Sequence, residues 1–387
     1  MILHNHIAFK MGKHESEIAQ HIPPGGNWKN IPDTISDVRL EGIRKTGGRT
    51  TYYGRLRWDA PSYTIATYFN RVGNGCNLHP SQPRVISTRE AARLQSFPDD
   101  FIFVGSKASQ YKQIGNAVPP LLARYVSTLI KPYLDSYNFI DLFAGCGGLS
   151  EGFLMNGFKL LAANEFDKNI ILTNKLNHSK YVDEDKIILG DITKQETKDK
   201  VIAACEGKRV DVILGGPPCQ GFSYAGWRNP NDERNQLFRE FVSIVRALKP
   251  KFFVMENVLG ILTMRNGDTI KDIIHAFKDE GYHVGAPLKL NAIWFGVPQR
   301  RKRVFIIGSL EENITITPPM PLFDDNNLLL PKPVTVHDAI SSLPQIEDGG
   351  GAVEMEWNIQ NPTPYDRLMQ REINFDKFYS LMIKKNN

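Results

Sequence analysis

Three segments combine reactive side chains with turns that follow apolar runs. In GGPPCQGFS (215–223), Cys219 sits in a Pro-Pro turn just after Val210–Leu214, a run that reads as a strand. The carboxyl end of a strand is where open α/β sheets hold ligands. A cysteine taken alone is more often a small buried hydrophobe than a nucleophile. Here the prolines and Gly215, Gly216 and Gly221 argue against a core position; thiolate character would need a nearby positive charge or dipole. In MENV (255–258), Glu256 ends the apolar run Phe252–Met255. Partial desolvation would raise its pKa and let it hold a proton; a salt bridge or helix N-cap is the plainer alternative. In GVPQRRKRVFIIG (296–308), Arg301 and Arg303 enter a strand at period two and are expected on one side of it. An arginine on a central strand needs an anion or a polar ligand.

A fourth segment, FIDLFAGCGG (139–148), runs from a strand into Gly145, Gly147 and Gly148, with a helix expected from Leu149. Such glycines let backbone approach a ligand, and the helix start offers free N–H groups. Glu165 follows 20 residues after Gly145, suited to ribose hydroxyls. Asp191, in GDIT, is placed for an exocyclic amine of a purine, and Phe166 for the adenine face. This reads as a nucleoside-cofactor site. A nicotinamide dinucleotide competes, although Ser150 stands where GxGxxG has its third glycine.

A thiol nucleophile, a proton-holding acid and a fixed cation suit attack on an electron-poor ring such as cytosine. Addition of Cys219 at C6, with Glu256 at N3 and Arg303 at O2, would make C5 enamine-like and able to take a methyl group from a sulfonium cofactor.

The elements that must position these groups alternate. Apolar runs at Phe139–Phe143, Leu160–Asn164, Val210–Leu214, Phe252–Met255 and Val304–Ile307 read as buried strands. Helical spacing is clearest at Asn235–Leu248 and Thr269–Glu280. The order implies a mostly parallel sheet covered on both faces. Ser87–Ser96 is predicted helical with Thr88 as N-cap, and a second helix is predicted from about Pro119 to Tyr133, packed on the same sheet because the link Leu134–Asn138 is short. Residues 1–54 and 311–387 are rich in Pro, Gly and Asn with weak periodicity, and read as a small irregular lobe.

Composition bounds the answer. The 387 residues, 41% hydrophobic and 23% charged, suit a soluble globular protein of about two domains. No apolar stretch approaches a membrane span, and MILHNHIAFKMGKHE is unlike a signal peptide, so a cytoplasmic location is expected. The four cysteines form no CxxC pair, which argues against a zinc ribbon or a disulfide framework. Residues 1–137 carry 17 Lys+Arg against 10 Asp+Glu, and residues 138–387 carry 30 against 32. Nine arginines fall between Arg39 and Arg93, an expected footprint for a polyanion or simply a solvated basic surface. His4, Asn5 and His6 are read as loop or packing rather than a metal site, and no metal is expected.

In these motifs the chain resembles the DNA (cytosine-5)-methyltransferases of bacterial restriction-modification systems. FIDLFAGCGGLSEGF, NEFD (164–167) and GDIT (190–193) resemble the family's cofactor motifs, GGPPCQGFS its catalytic motif, and ENV and QRRKR its base-binding motifs. The resemblance implies a Rossmann-like class I methyltransferase fold, a doubly wound and mostly parallel α/β sheet with a smaller irregular target-recognition lobe. It gives Cys219, Glu256, Arg301 and Arg303 catalytic roles. S-adenosyl-L-methionine is implied as cofactor, held by Phe139, Asp141, Gly145, Gly147, Glu165, Phe166, Asp191, Ile192, Pro218, Leu237, Asn116 and Val118.

RWDAPSYTI (57–65) and QIGNAVPP (113–120) resemble motifs that come last in most of the family, yet here they come first. The order implied is a circular permutation. Residues 1–54 and 311–387 would be two parts of one target-recognition region, 55–137 the permuted motifs packing on the catalytic domain, and 138–310 the cofactor-binding and catalytic domain. Met1 and Asn387 are then expected on one lobe, across a cleft from Cys219. Double-stranded DNA is the implied partner, with the target base flipped out of its stack. Gln220, Ser223, Trp227, Arg228, Arg39, Arg44, Lys45, Arg49, Tyr52 and Arg57 are the expected DNA contacts, Arg57 as a hinge residue holding the recognition region. The loop Ser223–Arg234 is expected to close over the flipped base. A monomer is expected, with a cognate restriction endonuclease acting on the same site without binding it. A tRNA cytosine-5 methyltransferase, a dinucleotide oxidoreductase and a non-catalytic DNA-binding module are the rival readings.

Overall fold

The computed structural model describes residues 2–218, 237–314 and 316–386. They divide into two compact units: Val118–Asn291 with Lys302–Pro321, and Met1–Ala117 with Ala292–Arg301 and Leu322–Asn387. The first division falls at Ala117/Val118, inside the segment 55–137 that the motifs group together, and the terminal unit takes in 55–117.

The first unit is built on a sheet. Its strands are β1 (Asn138–Leu142), β2 (Lys159–Glu165), β3 (Ile187–Leu189), β4 (Val212–Gly215), β5 (Phe252–Asn257), β6 (His283–Val284), β7 (Leu288–Asn291) and β8 (Lys302–Ser309). Among the described residues the order is β7-β8-β5-β4-β1-β2-β3, with β6 also pairing with β8. Strands β3, β2, β1, β4 and β5 run parallel, whereas β8 lies antiparallel to β5, β6 and β7. The five predicted strands are all present. The sequence order reverses between β1 and β4, so the crevice outside their carboxyl ends is the place for a ligand.

The helices of this unit are α1 (Pro120–Ile130), α2 (Gly148–Met155), α3 (Ile170–His178), α4 (Gln195–Ala203), α5 (Leu237–Leu248) and α6 (Asp268–Asp279). Apolar faces of α5 and α6 close over the sheet: Phe241, Val245, Ile273 and Phe277 join Ile213, Phe253 and Ile306 in one buried cluster. The Phe253 and Phe277 rings stack at 3.7 Å. Burying each such side chain contributes roughly 1.5–3 kcal/mol. As predicted, the helix after Pro119 packs on the sheet unit. A Cβ on Gly152 of α2 would overlap the Pro120 carbonyl and the Ala123 Cβ of α1, so only glycine permits that approach.

The second unit holds the two ends of the chain. Ile2–Ile7 and Gly351–Glu356 pair as antiparallel strands, His6 opposite Ala352. Met1 and Asn387 lie outside the described residues. The ends also contain helices, Lys13–Gln20, Val38–Thr46, Pro364–Met369 and Phe375–Asn386 among them, where weak periodicity predicts irregular loops. The helix Thr88–Leu94 is capped by Ser87, not Thr88: Ser87 Oγ accepts the Glu90 N–H while Glu90 accepts the Ser87 N–H. A further helix, Lys107–Asn116, carries the start of the QIGNAVPP motif.

Four of the nine arginines expected to face a polyanion are instead buried in this unit: Arg55, Arg84, Arg89 and Arg93. Arg84 pairs with Glu90 at 2.7 Å, and Arg93 with Asp99 at 2.7 Å and Asp366 at 2.5 Å. Arg55 donates to the carbonyls of Ile22, His79, Gln82 and Ala19. Desolvated guanidinium groups must spend their donors internally, so their charge makes no surface footprint. His6 and Asn5 pack too: His6 contacts Ser87 Oγ and the Pro344 carbonyl, and Asn5 bonds both backbone groups of Phe103.

Candidate active site

Cys219, Gln220, Ser223, Trp227 and Arg228, with the loop Ser223–Arg234, lie outside the described residues. The approach to Cys219 is described as far as Pro218, and Gly216 within it lies beside Glu256. Strand β4 stops at Gly215, and a Cβ on Gly216 would lie 3.1 Å from Glu256 Oε2. Asn257 Nδ2 donates to the Pro217 carbonyl at 3.0 Å. The last two residues of β5 therefore hold the start of the Pro-Pro turn, with Pro218 half-buried next in line.

Glu256 meets Arg303 across the β5/β8 pair, Oε1 to Nε at 2.7 Å, with about an eighth of each side chain exposed (12% and 13%). Arg303 also donates to the Lys302 carbonyl at 2.9 Å. Burial pushes the Arg303 pKa down, opposed by the Glu256 charge. This contact is a salt bridge, the plainer alternative that the sequence offers at Glu256.

Arg301 takes another role. Strand β8 begins at Lys302, so the period-two argument does not reach Arg301. Its guanidinium is buried and donates to the carbonyls of Ile65 at 3.1 Å and Gly115 at 2.7 Å. Gln299 beside it accepts the Ile65 N–H at 2.8 Å. Gln299 and Arg301 thus tie the segments around Ile65 and Gly115 together, a function that residue types alone did not reveal. Gly115 is required there, because a Cβ would lie 2.6 Å from the backbone of Ala66 and Thr67.

The glycine turn after β1 is shaped as the sequence predicts. Gly145 and Gly147 are left-handed, with φ of +58° and +96°. A Cβ on Gly145 would meet nothing within 4 Å, so that face is open. Glu165 Oε2 accepts the Gly145 N–H and Oε1 the Asp167 N–H, both at 2.8 Å. Burial raises the Glu165 pKa, and these N–H groups oppose it. Phe166 is 73% exposed beside it. Asp191 is half-buried and accepts the N–H and hydroxyl of Thr193, while Ile192 is buried. Leu237 is half-buried at the first turn of α5.

Two expected cofactor contacts are part of the scaffold instead. Phe139 lies near the start of β1, fully buried against Phe153 and Phe158, and faces the core. Asp141 is fully buried and accepts the Ser150 hydroxyl at 2.6 Å, which holds α2; burial pushes its pKa up to about 7. Asn116 is exposed at the end of its helix in the terminal unit, and Val118 is buried at the start of the sheet unit.

Cys76, Cys146 and Cys205 are buried, and burial pushes their thiols up to about 12, 12 and 11. None of these three is primed as a thiolate.

Among the expected DNA contacts, Lys45 and Arg49 are exposed. Arg39 donates to the Gly73 carbonyl and lies over the Tyr52 ring, 5.6 Å from its centroid. Arg44 is committed to the carbonyls of Ile31, Pro32 and Ile35, so it anchors its own loop. Arg57 is exposed in a two-point pair with Asp59.

Comparison with known proteins places the chain in a family. The model of the C-5 cytosine-specific DNA methylases matches residues 4–131 and 137–375. The type II methyltransferase M.DdeI of Desulfomicrobium norvegicum is 41% identical over 242 residues, covering 60% of this chain and 55% of that protein. M.AgeI of Thalassovita gelatinovora is 37% identical over 250 residues, covering 60% and 57%. The chain thus spans little more than half the length of these relatives. Among solved structures, a DNA modification methyltransferase encoded within an E. coli prophage aligns over 55% of this chain and 56% of its own, at 33% identity and a TM-score of 0.43.

Proposed function

We propose, since the chain belongs to the C-5 cytosine-specific DNA methylase family, that it methylates C5 of a cytosine flipped out of double-stranded DNA. The Glu256–Arg303 pair carries this reading: a carboxyl group and a cation 2.7 Å apart at the mouth of the turn that leads to Cys219.

The open face of Gly145, the exposed Phe166 ring and the carboxylates of Glu165 and Asp191 fit a nucleoside with ribose hydroxyls and a purine amine. The Glu165 carboxylate, with about four lone-pair sites, keeps acceptor capacity beyond its bonds to backbone N–H groups. We assign the site to a methyl donor, S-adenosyl-L-methionine, which supplies an electrophilic methyl group when bound. The Cys219 thiolate adds to C6 of the cytosine. Glu256 donates a hydrogen bond or proton at N3, so the electron pair displaced from the ring gathers at C5. Arg303 holds the Glu256 carboxyl in place and faces O2. After C5 is methylated, loss of its proton and expulsion of the thiolate restore the ring. Pro218 and Leu237 border the donor in this reading. Asp141 supports the loop from below.

We further propose that the motif order is a circular permutation and that the terminal unit carries target recognition, with Lys45, Arg49, Tyr52, Arg39 and Arg57 toward DNA. The pairing of Ile2–Ile7 with Gly351–Glu356 in one unit supports this. Gln220, Ser223, Trp227 and Arg228 would contact the flipped base. A cognate restriction endonuclease acting on the same site, a monomeric enzyme and a cytoplasmic location complete the reading; among the described residues no helix is long and apolar enough to cross a membrane.

The test is methylation of genomic DNA and, in parallel, of tRNA with labelled donor, the DNA then analysed by bisulfite sequencing. Protected cytosines at one short sequence support the reading. Label on adenine N6 or cytosine N4 contradicts it, because exocyclic amines need no cysteine adduct, and label on tRNA alone moves the substrate class.

A further inference from the structure

The floor beneath the glycine turn is made by side chains that the proposed reaction does not use. Gly147 caps α2 without a side-chain bond. A Cβ there would overlap His178 Cε1 and lie 2.8 Å from its Nδ1. His178 is fully buried at the end of α3. Its Nδ1 is 2.9 Å from Asn174 Oδ1, and its Nε2 is 3.4 Å from Glu151 Oε2. Asn174 Nδ2 donates to the Gly145 carbonyl at 3.2 Å, and the Glu151 N–H donates to the Gly147 carbonyl at 2.8 Å. His178 thus packs under Gly147, with Asn174 bonded to the turn on one side and Glu151, in the first turn of α2, on the other.

Its hydrogen bonds run in a set direction. Asn174 spends its NH2 on Gly145, so its oxygen faces His178 and Nδ1 carries hydrogen. Nε2 lies 3.4 Å from the Glu151 carboxyl, a close electrostatic contact between two buried groups.

We infer that His178 is a positioning residue for the methyl-donor site. Locked by Asn174 and Glu151, it fixes the backbone of residues 145–147 and the N–H groups opening α2, and touches no part of the donor. The inference rests on the reading of this turn as the donor site. A residue that pre-forms a binding loop acts on donor affinity more than on the step at saturation.

The test is calorimetric titration of S-adenosyl-L-methionine into the intact chain, with steady-state methylation alongside, for wild type, His178→Ala, Gly147→Ala and the double variant. His178→Ala should weaken donor binding about tenfold and raise the donor KM in step, with kcat at saturating donor within about threefold. Gly147→Ala should bind worse still, from its left-handed φ and from overlap with the ring. The double variant, free of the overlap, should bind at least as tightly as Gly147→Ala. Should His178→Ala not fold, Glu151→Gln keeps the shape and should raise the donor KM in the same direction. A wild-type donor KM in His178→Ala or Glu151→Gln, with only a lowered Tm, overturns the inference while leaving the donor site standing. A wild type that binds no donor overturns both.

Discussion

Arg303 Nε lies 2.7 Å from Glu256 Oε1, although the residue opposite Glu256 in the strand register is Phe305. The contact is a diagonal across β5 and β8, at the edge where the antiparallel strand joins the parallel set. A parallel neighbour would carry its own carboxyl end to this rim; the reversed strand brings its amino end instead. Arg303, second in β8, can thus sit beside Glu256, fifth in β5.

Glu256→Gln keeps the shape and removes the acid. Methyl transfer should fall at least about a hundredfold, the usual weight of a general acid. The Arg303 charge would lose its carboxylate, so stability should drop by roughly 1–3 kcal/mol in urea unfolding. Activity within threefold of wild type would remove Glu256 from the chemistry.

Arg301 and Arg303 should separate under substitution by lysine. At Arg301 a lysine cannot serve two carbonyls at once, so the loss should appear as roughly 2–4 kcal/mol of stability. At Arg303 the loss should fall on kcat, with a smaller change in Tm. The reverse pattern would return Arg301 to the base pocket.

Acid should weaken the terminal unit. Burial lowers the His79 pKa from 6.5 to about 4 and lowers that of His6, while Arg84 holds Glu90 below the usual range against its own desolvation. Between about pH 6.5 and 4 the unfolded chain binds more protons at these histidines than the folded chain. Stability therefore rises with pH across that window and is lost as pH falls through it, by up to about 3 kcal/mol for His79. The Glu90 contribution is present above its unfolded pKa and is lost as pH falls through the lower folded value. Thermal unfolding at pH 7.5, 6.5, 5.5 and 4.5 should show a falling Tm, less steep in His79→Gln; parallel slopes would contradict the assignment.

Phe166→Ala should raise the donor KM about tenfold with little change in kcat, because an exposed ring on a binding surface contributes chiefly by stacking. An unchanged KM would move the nucleoside elsewhere.

The strands of the sheet and the placing of Glu256 and Arg303 near strand ends were legible because they rest on short-range pattern: apolar runs ending in a turn, and residue types fixed by chemistry; their direct contact was not. What depends on burial was not. A charge sum counts Arg84 and Arg93 with Lys45, yet the first two sit in ion pairs inside the core. Phe139 belongs to the first cofactor motif, but its place at the start of β1 turns it into core. The pairing of Ile2–Ile7 with Gly351–Glu356 joins segments more than 340 residues apart, which no local propensity records. His178 carried no motif; its role is visible only from the space a Cβ on Gly147 would need.

The most direct measurement is methyl incorporation into duplex DNA by Cys219→Ser, with the labelled base identified by mass spectrometry. Wild type should yield 5-methylcytosine, and the serine variant should lose turnover by several orders of magnitude while keeping its Tm and donor affinity. Undiminished 5-methylcytosine from the serine variant would contradict covalent addition by Cys219 and the mechanism built on it.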